Sequence, residues 1–292
     1  MSMPLMRAVS WNVKDNGRTG AIRQAAWDQL ADIKPNIVFR QELPGAHLGG
    51  YRGLHAAANF LGLRAFMCLP QPARGQRPVG VMVDPDLFEV LADEEHGQGW
   101  KPVCVVTVRL LGTERVLRLV SGHLCHNDPL TRATETRGIT DLADHGQSVL
   151  VGMDANSYPT PSPREPLPDL QVIADSVHFE HRTIERGGRR VPDTVPDEIL
   201  TGTHFPGPGR FVDLARRAAD DLGQPNALTP TASLTRRDQG PPQRIDRMYG
   251  TPDVASALVS VRVDTGPEVS SVTDHARLVA DFDLDILSRP VA

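Results

Sequence analysis

The chain has 292 residues, 40% of them hydrophobic and 23% charged, with a formal net charge of −5 and a pI near 6.1. A chain of this length buries about three quarters of its unfolded surface, so a sizeable core is expected. The acidic balance excludes a basic field over the whole molecule, although not a local basic groove, and no apolar run approaches the roughly 20 residues of a membrane span.

In chain order, the segment Met1 to Arg7 lacks a basic region, a long apolar stretch and a cleavage site, which gives the expectation of a cytoplasmic location. Short apolar runs of strand type then recur, each with a polar tip. They are 7–13 (RAVSWNV), 37–39 (IVF) before Arg40-Gln41-Glu42, and 79–83 (VGVMV). Runs 103–110 and 116–124 flank Gly112-Thr113-Glu114, which reads as a hairpin turn. Run 148–153 (SVLVGM) precedes Asp154, 244–249 is short and mixed, and 278–284 (LVADFDL) alternates like a half-exposed strand. Helical spacing appears at 21–33, 56–61, 130–143 and 211–222. In the third of these, Leu130, Thr134, Ile139 and Leu142 form the expected inner stripe.

Hairpins mixed with helical crossovers imply an α+β layered fold with mixed sheets. Residues 1–292 read as a single domain. Residues 157–210, rich in Pro, Gly and charge, read as a long irregular excursion over the site, because loops of that length are usually functional or mobile. The three cysteines, Cys68, Cys104 and Cys125, are widely spaced without CxxC pairing and are expected to be reduced and buried. His123, Cys125 and His126 suggest zinc, but no second Cys/His group lies at finger-like spacing.

Residues with chemical potential gather at the tips of the apolar runs: Asn12, Glu42, His123, Asp154 with Asn156, Asp246, and Asp274 with His275. Each alone is what a turn or a strand end also produces. Together they suit a hard divalent cation, which takes oxygen ligands and leaves room for phosphate oxygens. The same set includes groups able to orient water and to meet charge building on phosphorus.

The ordered set Trp11-Asn12, Gln41-Glu42, Gly122-His123-Leu124, Gly152-Met153-Asp154-Ala155-Asn156, Arg244-Ile245-Asp246 and Thr273-Asp274-His275 resembles the motifs of the endonuclease/exonuclease/phosphatase superfamily, with its DNase I-like fold. The resemblance spans residues 11 to 275. It implies a four-layer α/β sandwich, two mixed β-sheets packed face to face with helices outside, and a Mg²⁺-dependent phosphoesterase, with Mn²⁺ as a substitute. By the same resemblance Glu42 is the principal metal ligand, Asn12 lies next to the metal, and Asp274 lies near it or near a second metal. His123 bonds a phosphate oxygen, Asp154 orients or deprotonates the attacking water, and Asn156 holds the phosphate and Asp154. Asp246 fixes His275, which stabilises the transition state or acts as base.

Three positions depart from the family's usual forms. Met153 separates Gly152 from Asp154, Arg247 stands where an aromatic is common, and Thr273 replaces a serine. None removes a catalytic group. Arg182, Arg186, Arg236 and Arg244 are the candidate substrate contacts, able to grip phosphates. The leading function is then a nuclease-type phosphodiesterase, with nucleic acid as a candidate substrate. Its alternatives are an enzyme of a small phosphorylated metabolite, an inositol phosphate or a lipid head group, and an inactive binding protein of the same fold. No protein partner is inferable.

Overall fold

The computed structural model describes residues 4–70, 77–97, 101–203, 209–234 and 236–290. The chain begins with β1 (Leu5–Asn12), α1 (Gly20–Ile33), β2 (Ile37–Gln41), α2 (Leu48–Leu61), β3 (Arg64–Met67) and β4 (Gly80–Val83). The meander β5 (Phe88–His96), β6 (Val103–Leu110), β7 (Val116–His123) leads through α3 (Pro129–Asp141) to β8 (Val149–Asp154). Next come α4 (Ser176–Arg182), β9 (Thr183–Arg186), β10 (Arg189–Pro192), α5 (Val195–Thr201), β11 (Val212–Asp213) and α6 (Leu214–Asp221). The chain closes with β12 (Asp246–Gly250), α7 (Pro252–Ser256), β13 (Leu258–Asp264), α8 (Pro267–Ser270), β14 (Arg277–Asp283) and α9 (Leu284–Leu287).

Capping residues set several helix starts. The Thr19 hydroxyl accepts from Ile22 N for α1, and the Asp128 carboxylate accepts from Leu130 N and Thr131 N for α3, with Pro129 in the first turn. Asp213 caps α6 in the same way.

Two six-stranded sheets carry the fold, in the orders β13-β14-β1-β2-β4-β3 and β11-β12-β8-β7-β6-β5. Each has one parallel pair at its centre, β1 with β2 and β7 with β8, and antiparallel neighbours elsewhere. Phe39, Val81, Val106, Leu119, Leu150, Met248 and Phe282 belong to the core between the sheets. A second cluster, with Trp11, Leu30 and Leu54, seats α1 and α2 on the first sheet. A third, with Val120, Ile139, Val151 and Tyr249, seats α3 on the other. Helix, sheet, sheet, helix is the expected four-layer α+β sandwich.

Side-chain alternation along β8 accounts for the inserted Met153. Gly152 faces the other sheet so closely that a Cβ there would lie 2.4 Å from the Phe39 ring. Met153 points outward into the third cluster, and Asp154 points back in. Arg247 also faces outward; it is fully buried, donates to Ser157 Oγ at 2.7 Å and lies over the Tyr249 ring.

Two expectations change. The segment expected to be an irregular excursion contains α4, the β9–β10 hairpin and α5, and it is tied to the body. Arg132 Nε donates to Asp193 Oδ2 at 2.9 Å and Tyr249 Oη to Asp197 Oδ1 at 2.6 Å. Its Pro, Gly and charge content hid elements of only four to seven residues, too short to show periodicity; residues 204–208 lie outside the described ones. In α3, Leu130 is 80% exposed, and the buried face runs instead through Arg132, Thr136 and Ile139. An inward-facing arginine paired with a carboxylate, Arg132 with Asp193, defeats a reading based on apolar spacing. The three cysteines are buried and free.

Candidate active site

Strand pairing brings the motifs to one end of the sandwich. His123, Asp154 and Asp246 stand opposite one another on adjacent strands β7, β8 and β12. Asn12 and Gln41 stand opposite one another on β1 and β2, with Glu42 the next residue. His123 and Asp154 end their strands, whereas Asp246 starts β12 and His275 precedes β14. Those two strands run antiparallel to their neighbours, so their starts reach the same edge.

Asn12 Nδ2 crosses between the sheets to Asp154 Oδ2 at 3.0 Å, and lies 3.5 Å from Glu42 Oε1. Asp154 Oδ1 accepts from Asn156 N at 3.0 Å, and His123 Nε2 is 3.7 Å from Asp154 Oδ2. His275 Nδ1 lies 2.9 and 3.1 Å from the two Asp246 oxygens and 4.0 Å from Asp154. Thr273 Oγ1 donates to the Asn12 carbonyl at 3.0 Å, fastening the last motif to the first. Glu42 and Asn156 both adopt left-handed backbone, with φ of 56° and 49°. Such conformations cost about 1–3 kcal/mol each in non-glycine residues and persist where the surroundings impose them.

Burial and charge sort the protonation states. Burial pushes the Asp154 carboxyl up, but His123, His275, Arg182 and the Asn12 amide outweigh it and hold it at about 2. Burial lowers His275, but Asp246, Asp154 and Asp274 outweigh it and carry the imidazole to about 10. Burial, with Asp154 nearby, lifts Asp246 to about 6 against the pull of His275. At neutral pH Asp246 and His275 are therefore a carboxylate–imidazolium pair. Burial first, then Lys101, drives His123 well below its ordinary value, so it is neutral.

A cavity of about 170 Å³ opens beside these groups. Glu42, His123, Asp154, Asn156, Asp274 and His275 line it, as does Arg182. Lys14, Arg77, His126, Tyr158 and His178 also line it, and the sequence reading assigned them no place there. Lys14 had a signal, two residues beyond Asn12. His126 lay in the cluster weighed for zinc. His178 and Arg182, four residues apart, become visible as one helix face only once α4 is known.

The other arginines nominated for substrate lie elsewhere. Arg244 is fully buried, its guanidinium held by Glu165 (2.6 and 2.8 Å) and Asp213 (2.7 and 3.1 Å). Arg186 pairs with Glu198, and Arg236 pairs with Asp238 at 2.6 Å on the surface. Nearby carboxylates neutralise all three, and none lines the cavity.

The donors suit a hard cation. Asn12 Oδ1 and Asp274 Oδ1 are buried with no hydrogen-bond partner among the described residues, although buried polar oxygens are nearly always paired. Both belong to residues in contact with the Glu42 side or the cavity rim, and all three side chains offer oxygen. Glu42 Oε2 accepts from Asp15 N at 2.9 Å, and Asp274 Oδ2 from Lys14 Nζ at 2.6 Å. Asp154, Asp246 and His275 form a second group able to hold a metal, with ligand atoms within 4.8 Å of one another. In that group the His275 nitrogen nearest the acids already binds Asp246.

No protein-family model and no curated protein matches the sequence. Solved structures do match in fold. The chain is similar to the human Nocturnin catalytic domain with bound sulfate anion, at 14% identity and TM-score 0.64, over 96% of this chain and 93% of that one. It is equally similar to an endonuclease/exonuclease/phosphatase from Bacteroides vulgatus (15%, TM-score 0.64, 96% and 99% covered). An AP endonuclease from Archaeoglobus fulgidus gives 16%, TM-score 0.64, with 96% and 100% covered. At these identities the likeness shows the DNase I-like fold of the endonuclease/exonuclease/phosphatase proteins. Among the described residues no helix is long and apolar enough to cross a membrane.

Proposed function

We propose that the chain is a divalent-metal-dependent phosphoesterase that hydrolyses its substrate by in-line attack of water on phosphorus. One observation carries this reading: Asp154, buried and ionised, sits between an amide (Asn12), a neutral imidazole (His123) and an Asp246-held imidazolium (His275), at the floor of a cavity. An inactive binding protein has no need to gather that set from both sheets.

Asn12, Glu42 and Asp274 would hold the metal, with Mg²⁺ or Mn²⁺ the cations that favour such oxygens. Bound there, the cation would supply charge stabilisation to the phosphoryl oxygens. Asp154, ionised at neutral pH, would accept a hydrogen bond from the attacking water and so aim it or take its proton. His275 is held through Nδ1 by Asp246 and offers Nε2 to a phosphoryl oxygen as charge builds. His123, neutral, donates or accepts a single hydrogen bond beside them. Its Nδ1 is buried without a partner among the described residues.

The cavity size favours a small phosphorylated ligand or a chain end over the middle of a duplex. About 170 Å³ is below the ~300 Å³ at which sites for drug-sized ligands begin. Three of the four arginines nominated for a nuclease groove, Arg186, Arg236 and Arg244, are taken up by Glu198, Asp238, Glu165 and Asp213. The nuclease reading is supported by fold neighbours that include an AP endonuclease and a TDP2 from D. rerio complexed with single-stranded DNA product. A panel of phosphomonoesters, phosphodiesters and single-stranded oligonucleotides with Mg²⁺ separates the two. Turnover of small esters with intact oligonucleotides supports the first reading. Oligonucleotide cleavage with inert small esters supports the second. No Mg²⁺-dependent release from any of them removes both.

A further inference from the structure

We propose that Arg182 is a phosphate-binding residue of this site: its Nη1 takes an oxygen of the substrate's phosphoryl group while its Nη2 fixes the Asn156 amide. The proposal rests on the phosphoesterase reading for its ligand, and on three observations for its geometry.

The first is placement. Helix α4, capped by Asp175, carries His178 and Arg182 one turn apart, and both line the cavity. The second is an unbalanced charge. Arg182 is buried, and its one side-chain hydrogen bond among the described residues runs from Nη2 to Asn156 Oδ1 at 2.6 Å. Its Nη1 is buried with no partner among the described residues, and no carboxylate oxygen there lies within ion-pairing distance of it. Its neighbour Arg132 shows what a structural arginine looks like in the same region. Arg132 Nε donates to Asp193 Oδ2 at 2.9 Å, Nη1 to the Cys125 carbonyl at 2.7 Å and Nη2 to the His181 carbonyl at 2.6 Å. Arg244 is paired still more fully. A buried guanidinium with a spare donor and no acid in direct contact is costly unless an anion completes it. Beside Asp154 and His275, the anion that fits is a phosphoryl group, to which a guanidinium presents its planar fork.

The third observation is the state of Asn156. A guanidinium only donates, so Asn156 must turn its oxygen toward Arg182. Its Nδ2 then donates to the Leu124 carbonyl at 3.0 Å and keeps its second hydrogen for a ligand. The same residue's N–H holds Asp154 Oδ1. Arg182 thus sets the orientation of the Asn156 side-chain amide, while the backbone of the same residue holds the neighbouring acid.

The test is calorimetric titration of the Mg²⁺-loaded full chain with inorganic phosphate. For Arg182→Ala the expected phosphate affinity is about tenfold or more below wild type, the scale of one charge-assisted hydrogen bond. Millimolar guanidinium should restore part of it, which a merely structural loss would not allow. Should Arg182→Ala fail to fold, Arg182→Lys keeps the charge without the fork, and its phosphate affinity should still drop about threefold or more. Wild-type affinity in either folded variant, or no phosphate binding by the wild type, overturns the proposal. A wild type that binds phosphate through Arg182 yet cleaves no ester leaves this assignment standing and removes the hydrolase reading.

Discussion

Replacing Asp246 by Asn keeps the shape of the site and removes the charge that holds His275. In the structure both Asp246 oxygens face His275 Nδ1, at 2.9 and 3.1 Å, and His275 is carried to about 10 against its own burial. With a neutral amide there, burial is opposed only by Asp154 and Asp274, and the imidazole falls back toward its ordinary value near 6.5. A charge-assisted hydrogen bond is worth about 1.5–3 kcal/mol. If that stabilisation reaches the transition state through His275, kcat falls by roughly 10- to 150-fold. The effect on stability is smaller, because His275 can release its proton instead of staying buried and charged. The sign of the pH effect follows. A raised histidine contributes stability below its unfolded value near 6.5 and loses it as pH climbs through about 10. In Asp246→Asn that alkaline loss should shrink and move down. The assay is steady-state turnover of a small phosphoester with Mg²⁺ at neutral pH, together with a ¹⁵N titration of His275. A kcat within twofold of wild type, or an unmoved His275 titration, refutes the reasoning.

Asp154→Asn should lower kcat by roughly 10²- to 10⁴-fold while KM changes little, because its part is expected in the transition state; weak binding with normal kcat contradicts this. Glu42→Gln should raise the Mg²⁺ concentration needed for half-maximal activity about tenfold, and chelation of the wild type should abolish turnover, both read by metal titration. Arg236→Ala should leave kcat/KM within about twofold and cost under about 1 kcal/mol, since its pairing with Asp238 is exposed; a clear loss of turnover would restore it to the site. Arg244→Met should destabilise the fold by about 3–5 kcal/mol by leaving buried Asp213 without its ion-pair partner and Glu165 with Arg216 alone. Burial raises Asp213, but Arg244 outweighs it and holds the acid below its ordinary value. Its contribution is thus present above pH ~4 and lost on acidification, and denaturant midpoints at pH 3 and pH 7 should converge for the variant.

The gathering of the candidate site residues was legible in the sequence because strand tips carry them. Asn12, Glu42, His123 and Asp154 stand just where apolar runs stop; adjacent strands pair such ends within each sheet, and face-to-face packing brings the two pairs together. Asp246 and His275 were legible as motifs although they lie at strand starts, and only the antiparallel pairings explain why they reach the same edge. What the sequence hid was of two kinds. Elements of four to seven residues, such as α4, β9, β10 and α5, leave no periodic trace, so the cavity wall that α4 supplies through His178 and Arg182 was invisible. Arginine identity is also mute about its partner. Arg182, Arg186, Arg236 and Arg244 look alike in a sequence, and only the carboxylates around them separate a buried brace such as Arg244 from the open-handed Arg182. Met153 was the reverse case, an apparent departure that one turn of strand alternation absorbs.

Hydrolysis of a turned-over phosphoester in ¹⁸O-labelled water, with Mg²⁺ and with wild type beside His275→Ala, tests the central claim most directly. In-line attack of water on phosphorus predicts one labelled oxygen in each phosphate product, Mg²⁺-dependent release, and little or no release from the variant. Label in the alcohol product, or equal release by His275→Ala, would contradict it.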